Sequence, residues 1–166
     1  MEIAIAKGRA EDHIVIARAD GTRAETRFPK KGPVPHDAVH FFVERGLGLS
    51  GAFWGMIAGG RHPEELAEIA KAAGHASAKR AAVPDAGIVE LLQAERIVEC
   101  FEAELWSGGN DDAALRDMAT TACESSYVPL PEVPDGAFGR IRGEIAAFAR
   151  EWQVAPDGHV ARLDWE

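Results

Sequence analysis

The sequence predicts an α+β protein of one domain spanning residues 1–166, in which a small antiparallel sheet built from both chain ends is covered by about five helices. Two patterns predict this class. Short stretches of alternating apolar and polar residues occur near both ends of the chain. Between them, several segments repeat apolar residues every three or four positions, the period of a helix packed on one face. One face of a small sheet has to pack against other elements, and the predicted helices supply that packing.

Residues 1–30 are predicted as an antiparallel meander of three strands. Isoleucines alternate with small or polar residues at positions 3–5 and again at positions 14–16. Asp20-Gly21 then supplies the positive-φ pair of a tight hairpin turn, and residues 22–28 follow as the third strand.

Residues 36–153 are predicted to be mainly helical, and residues 159–165 alternate again as a closing strand. A terminal strand is most readily stabilised by joining the meander, which would bring the two chain ends together. The first predicted helix begins at Pro35-His36 and ends at Gly46 and Gly48, and the second begins at Pro63 and ends at Gly74. The third begins at Pro84-Asp85 and ends near Trp106. The fourth spans Ala113 to Ser125, and Asp135 caps the start of the fifth.

The charge of the chain excludes some classes of partner. Acidic side chains outnumber basic ones by 27 to 18, for a formal charge of −9, whereas hydrophobic residues make up 46% of the chain, a globular proportion. A protein that binds a nucleic-acid backbone needs clustered lysines and arginines, and the sequence has no such cluster. We therefore expect neither nucleic acid nor an anionic membrane as partner; a protein partner or a second copy of the chain is the alternative.

The N-terminus and the cysteines predict a soluble, cytoplasmic protein. Residues 1–7 lack an apolar stretch of signal-peptide length, and the apolar segment 47–60 is interrupted by glycines and too short to span a bilayer. Cys100 and Cys123 form neither a disulfide framework nor a zinc-ligand spacing. We expect both thiols to be reduced.

One stretch, residues 35–44, has chemistry-bearing side chains at a meaningful spacing. On a helix, His36, Asp37, His40 and Glu44 fall within one arc of about 100°. The rest of that helix is almost entirely apolar, with Arg45 as the exception. The polar stripe contains none of the lysine, glutamine or serine that is typical of a solvated face, which favours a functional site.

The two histidines predict a metal site. Residues four apart lie on the same helical face, so His36 and His40 aim their imidazoles at one point. The segment resembles the zinc-binding helices with the pattern His-Glu-x-x-His, in which the glutamate acts as general base. The resemblance covers five residues and departs at Asp37, whose shorter side chain does not reach a metal-bound water from that backbone position. It implies a divalent transition metal such as zinc.

A third ligand is expected from another element, because Glu44 lies too far along the helix axis to join both histidines. The next predicted helix offers closer candidates, and from it we predict His62 and Glu65 as ligands beside His36 and His40. Their spacing after His40 is similar to that of zinc peptidases whose third ligand is a downstream glutamate. Catalytic roles would fall to Asp37 and Glu44. The function predicted is metal binding, with hydrolytic activity.

Two alternatives remain open. In the first, His36 caps its helix, Asp37 favours the helix dipole, His40 bonds a carbonyl, and the protein is a non-enzymatic interaction or accessory module with an acidic surface. In the second, His40 acts as an acid or base without metal, oriented by Asp37 or Glu44. Convergence of both imidazoles on a carboxylate or on His62 would favour the metal site. The acidic row formed by Glu95, Glu99 and Glu102 is predicted to be a solvated face.

Overall fold

A computed structural model describes residues 1–80 and 84–166, apart from the side chains of residues 70 and 73–80. It confirms the α+β prediction, with a four-stranded antiparallel sheet and six α-helices in the described residues. The strands are β1 (Glu2–Ala6), β2 (Glu11–Ala17), β3 (Arg23–Pro29) and β4 (Val160–Asp164). The helices are α1 (His36–Leu47), α2 (Phe53–Ala58), α3 (Pro63–Arg80), α4 (Val89–Ser107), α5 (Asp112–Ser125) and α6 (Ala137–Val154), with a 3₁₀ turn at Ala86–Ile88.

The sheet has the strand order β3-β2-β1-β4 and joins the two ends of the chain as predicted. In the register of β1, Ile3 lies opposite Ile16 on one side and Leu163 on the other. Alternation along β1 and β2 buries four isoleucines on the same face: Ile3, Ile5, Ile14 and Ile16. That face carries the helices, so the sheet is the base on which α1 is positioned.

Helix α1 lies at the centre of the fold and packs against α2, α4 and α6. Val39, Phe41 and Val43 on its apolar side are fully buried. It ends at Gly48, whose left-handed conformation (φ 68°) favours glycine, close to the predicted end. Its N-cap residue is Pro35, and no side chain caps the helix, so the predicted capping role of His36 is wrong.

Three predicted helix boundaries are wrong. Helix α4 begins at Val89 and not at Pro84-Asp85, because Asp85 caps the 3₁₀ turn that precedes it. Helix α3 does not end at Gly74 but continues to Arg80, because a glycine inside a helix costs only about 1 kcal/mol. Helix α6 begins after Gly136, which has a φ of 68°, and no side chain caps it, so the predicted Asp135 cap is absent. Glycine supplies the left-handed turn there, which moves the helix start beyond reach of an aspartate cap.

The two cysteines are free thiols buried in the core. Burial raises the pKa of the Cys123 thiol to about 11 and also raises the pKa of Cys100. Both groups are therefore neutral at physiological pH and poor nucleophiles. In the described part of the chain, no helix is long and apolar enough to cross a membrane.

Lys7 connects the sheet to the C-terminal end of α6. Its Nζ donates hydrogen bonds to the carbonyl oxygens of Trp152 and Ala155, both at 2.7 Å, at the end of α6, where a cation favours the helix dipole. Lys7→Met is expected to lower the free energy of unfolding by about 1–2 kcal/mol, since two charge-assisted hydrogen bonds are lost. Urea denaturation measures the change, with Lys31→Met at an exposed position as control. Equal midpoints for the two variants would contradict this role.

Candidate metal centre

Three side chains from α1 and α4 converge on one point. His36 and His40 lie one turn apart on α1, and their Nε2 atoms are 3.2 Å apart. Glu95 of α4 places its Oε2 atom 3.2 Å from the Nε2 of His40 and 3.7 Å from the Nε2 of His36. The convergence that would favour a metal site is therefore present, with a carboxylate as the third member.

The size of this triangle matches tetrahedral coordination. Zinc holds nitrogen and oxygen ligands at about 2.0–2.1 Å, which separates neighbouring ligand atoms by about 3.3–3.4 Å. The three measured edges average about 3.4 Å, and one point in their plane lies about 2.0 Å from every corner.

A carboxylate lies behind each imidazole. The Nδ1 of His40 is 2.9 Å from the Oε1 of Glu44, and the Nδ1 of His36 is 2.9 Å from the Oε1 of Glu102. A carboxylate that accepts the Nδ1 proton fixes the orientation of the ring and leaves Nε2 free to bind a metal. Both rings thus present the same nitrogen to the same point.

Glu44 is itself anchored by the start of α2. Its side chain is fully buried, and its Oε2 accepts a hydrogen bond of 2.8 Å from the backbone N–H of Trp54. The indole Nε1 of Trp54 donates to the carbonyl oxygen of Asp37 at 2.9 Å, and the Phe53 ring lies 5.9 Å from the His40 ring. Helix α2 therefore closes the inner side of the site.

The cluster is strongly coupled electrostatically. Burial of His40 opposes its charge, but hydrogen bonds with Glu44 and Glu95 outweigh burial and raise its pKa to about 10. The pKa of His36 is raised in the same way, because Glu102 and Glu95 outweigh its burial. Burial of Glu95 is in turn outweighed by the two histidines, which hold its pKa well below the usual range. Without a metal, protons supply the positive charge that these carboxylates require.

The other predicted site residues lie outside the triangle. His62 and Glu65 are exposed; the Nδ1 of His62 accepts from the backbone N–H of Glu64, and Glu65 pairs with Arg61 at 2.6 Å. The carboxylate that meets the histidines thus comes from α4 and not from α3, which corrects the predicted ligand set. Asp37 is half-buried beside the cluster, and burial raises the pKa of its carboxyl group.

Sequence reasoning missed Glu95 and Glu102. The acidic row on α4 was predicted to be a solvated face, but these two carboxylates contact His40 and His36. The signal lay in the composition of the row, which has only Arg96 nearby to offset its charge. The polar stripe of α1 likewise contains no lysine, and in the structure the histidines of that stripe contact carboxylates of the α4 row.

Comparisons of the chain with protein-family models, with curated proteins and with solved structures gave no match. Fold and site alone therefore define the class of protein. It is an α+β protein with a cluster of two histidines and one glutamate that could hold a metal ion.

Proposed function

We propose that the protein binds a single zinc ion through the Nε2 atoms of His36 and His40 and the Oε2 atom of Glu95. One observation carries the proposal: the three atoms form a triangle of zinc-coordination size, and both histidines have a carboxylate on the opposite ring nitrogen.

The donor set favours zinc. Two imidazole nitrogens and one carboxylate oxygen are a ligand combination that zinc takes at catalytic sites. Two histidines and one carboxylate also form the facial triad of non-haem Fe(II) sites. Ferrous iron is therefore the competitor to test, and we expect it to bind more weakly than zinc.

Glu44 and Glu102 are assigned a positioning role. Both oxygens of Glu44 are engaged, one by His40 and the other by the backbone N–H of Trp54, so this carboxylate orients His40 and does not touch a substrate. Glu102 orients His36 in the same way. Loss of such a carboxylate typically lowers metal affinity by about 10–100-fold.

Isothermal titration with zinc tests the proposal. The metal-free protein is expected to bind one zinc ion, and His36→Ala, His40→Ala and Glu95→Gln are each expected to weaken binding at least about 100-fold, because two ligands do not complete a zinc site. His62→Ala and Glu65→Gln are the matched controls and should bind as the wild type does. Wild-type affinity in the three site variants, or loss of binding in the two controls, would contradict this ligand set.

The affinity for zinc is also expected to depend on pH. Zinc requires neutral imidazoles, and in the metal-free protein the pKa of His40 is raised to about 10, so protons compete with zinc throughout the neutral range. Affinity should rise steadily from about pH 6 to about pH 9, with release of protons on binding. Titrations in buffers of different ionisation enthalpy measure that release, and a pH-independent affinity would contradict the role of the histidines.

A further inference from the structure

We propose that the zinc keeps one coordination position for water, and that Glu99 takes a proton from this water when an uncharged or cationic ester is hydrolysed. This inference rests on the proposed function and extends it to a reaction, a base and a substrate charge. It is argued from the ligand count, the direction of solvent access and the position of Glu99 on α4.

The ligand count leaves a position open. Zinc sites bind four ligands, and catalytic ones take three from the protein and one from solvent. Among the described side chains, the group of converging ligand atoms contains only His36, His40 and Glu95. Two further carboxylates of the cluster, Glu44 and Glu102, are bonded to the Nδ1 atoms on the far side of the rings.

Among the described side chains of the cluster, exposure is greatest on the α4 side. The inner residues are closed off, since the side chain of His40 is 5% exposed and that of Glu44 is 0% exposed. On the α4 side the exposed fraction rises to 24% for Glu95, 28% for Glu102 and 44% for Glu99. A water ligand would therefore enter between α1 and the acidic row of α4.

Glu99 lies on the face of α4 that meets the histidines. It follows Glu95 by four residues and precedes Glu102 by three, and both of these contact a histidine. At about 100° per residue, Glu99 is within about 60° of each, so the three share one face. Its carboxylate is held by Arg96 at 2.7 Å and, unlike that of Glu102, is not bonded to a ring nitrogen in the contacts described. It is the most exposed of the three carboxylates on this face of α4.

The negative charge on the exposed side of the site determines which substrate charge is favoured. Glu95, Glu99 and Glu102 border this side, and in the ion pairs of the described residues Arg96 is the cation that pairs with a member of the row. Together with buried Glu44, these carboxylates outweigh the charge of the zinc ion and of Arg96. An anionic substrate such as a phosphate diester would be repelled, whereas an uncharged or cationic ester would not.

The proposed ester hydrolysis requires no co-reactant other than water. Glu99 would accept a proton from a water molecule held at the site, and the oxygen of that water would form a bond to the ester carbonyl carbon; a bound zinc ion would supply polarisation of the carbonyl. The tetrahedral intermediate then collapses, and the bond to the leaving alkoxide breaks. The proton on Glu99 passes to that alkoxide, so ester and water become acid and alcohol.

Two measurements on the same samples test this inference. Zinc affinity is measured by titration, and hydrolysis is followed with 4-nitrophenyl acetate as the uncharged ester and bis(4-nitrophenyl) phosphate as the anionic one. The zinc-loaded wild type should hydrolyse the acetate faster than the zinc-free protein and leave the phosphate diester intact. Glu99→Gln should bind zinc as the wild type does and lose at least about 10-fold in acetate hydrolysis. Glu124→Gln, at an exposed position of α5, should lose nothing.

The outcomes separate this inference from the proposed function. Tight zinc binding with no acetate hydrolysis above the zinc-free level overturns the reaction and leaves the zinc site standing. Equal hydrolysis by wild type and Glu99→Gln overturns the base, and faster hydrolysis of the phosphate diester overturns the substrate charge. Absence of zinc binding in the wild type overturns the proposed function itself.

Discussion

Replacing Glu44 with alanine is expected to lower the free energy of unfolding of the metal-free protein by about 3–5 kcal/mol. The carboxylate is fully buried between the Nδ1 of His40 and the backbone N–H of Trp54. Alanine leaves both groups buried without this partner, and it leaves the charge of His40 uncompensated on that side. Removing one member of a buried pair costs more than the net value of the pair, because the other member loses its compensation.

Chemical denaturation of the metal-free protein measures this loss. Glu144→Ala is the matched control, since Glu144 is also a glutamate paired with a cation, Arg45, but is 44% exposed. Exposed pairs contribute about 0–1 kcal/mol, so the control should unfold close to the wild type. A Glu44→Ala variant as stable as Glu144→Ala would show that the buried pair does not hold α1 and α2 together.

The effect of Glu44→Ala should depend on pH. The folded-state pKa of His40 is raised from 6.5 to about 10, so its charge stabilises the folded protein fully below pH 6.5 and loses that effect as the pH rises through 10. The difference between wild type and variant is therefore expected to be large at neutral pH and to shrink above about pH 10. A difference that grew with pH would contradict this assignment of charge.

Gly55→Ala is expected to destabilise the protein by more than about 3 kcal/mol, or to prevent folding. A Cβ atom on Gly55 would overlap the backbone carbonyl of Ser50 and lie 2.8 Å from the Ser50 Cα. These are backbone atoms of the turn that leads into α2, so no side-chain rotation relieves the overlap. The substitution also displaces Trp54, whose backbone N–H anchors Glu44.

The same substitution at Gly143 is the control. Gly143 lies within α6, where an added Cβ would meet no atom within 4 Å, so alanine should raise the free energy of unfolding by about 0.5–1 kcal/mol. Where Gly55→Ala still folds, its zinc affinity should fall along with its stability, because the anchor of Glu44 moves. Equal unfolding midpoints for the two variants would exclude this close packing of α2 against the preceding turn.

Local patterns in the sequence were enough to predict the sheet and one half of the site. Alternating isoleucines and the closing strand predicted the joined chain ends, which the pairing of Ile3 with Ile16 and Leu163 confirms. Helical spacing likewise predicted that His36 and His40 point the same way, since that relation depends only on the period of one helix.

Only the tertiary structure decided what the histidines meet. Helical periodicity tells which side chains share a face, but not which helix that face will contact or at what height along its axis. The packing of α1 against α4 decides both, and it brings Glu95 and Glu102 to the imidazoles across more than fifty residues of chain. His62 and Glu65 are closer in sequence, yet both remain exposed, His62 just before α3 and Glu65 within it. Distance along the chain does not predict a ligand that interhelical packing supplies.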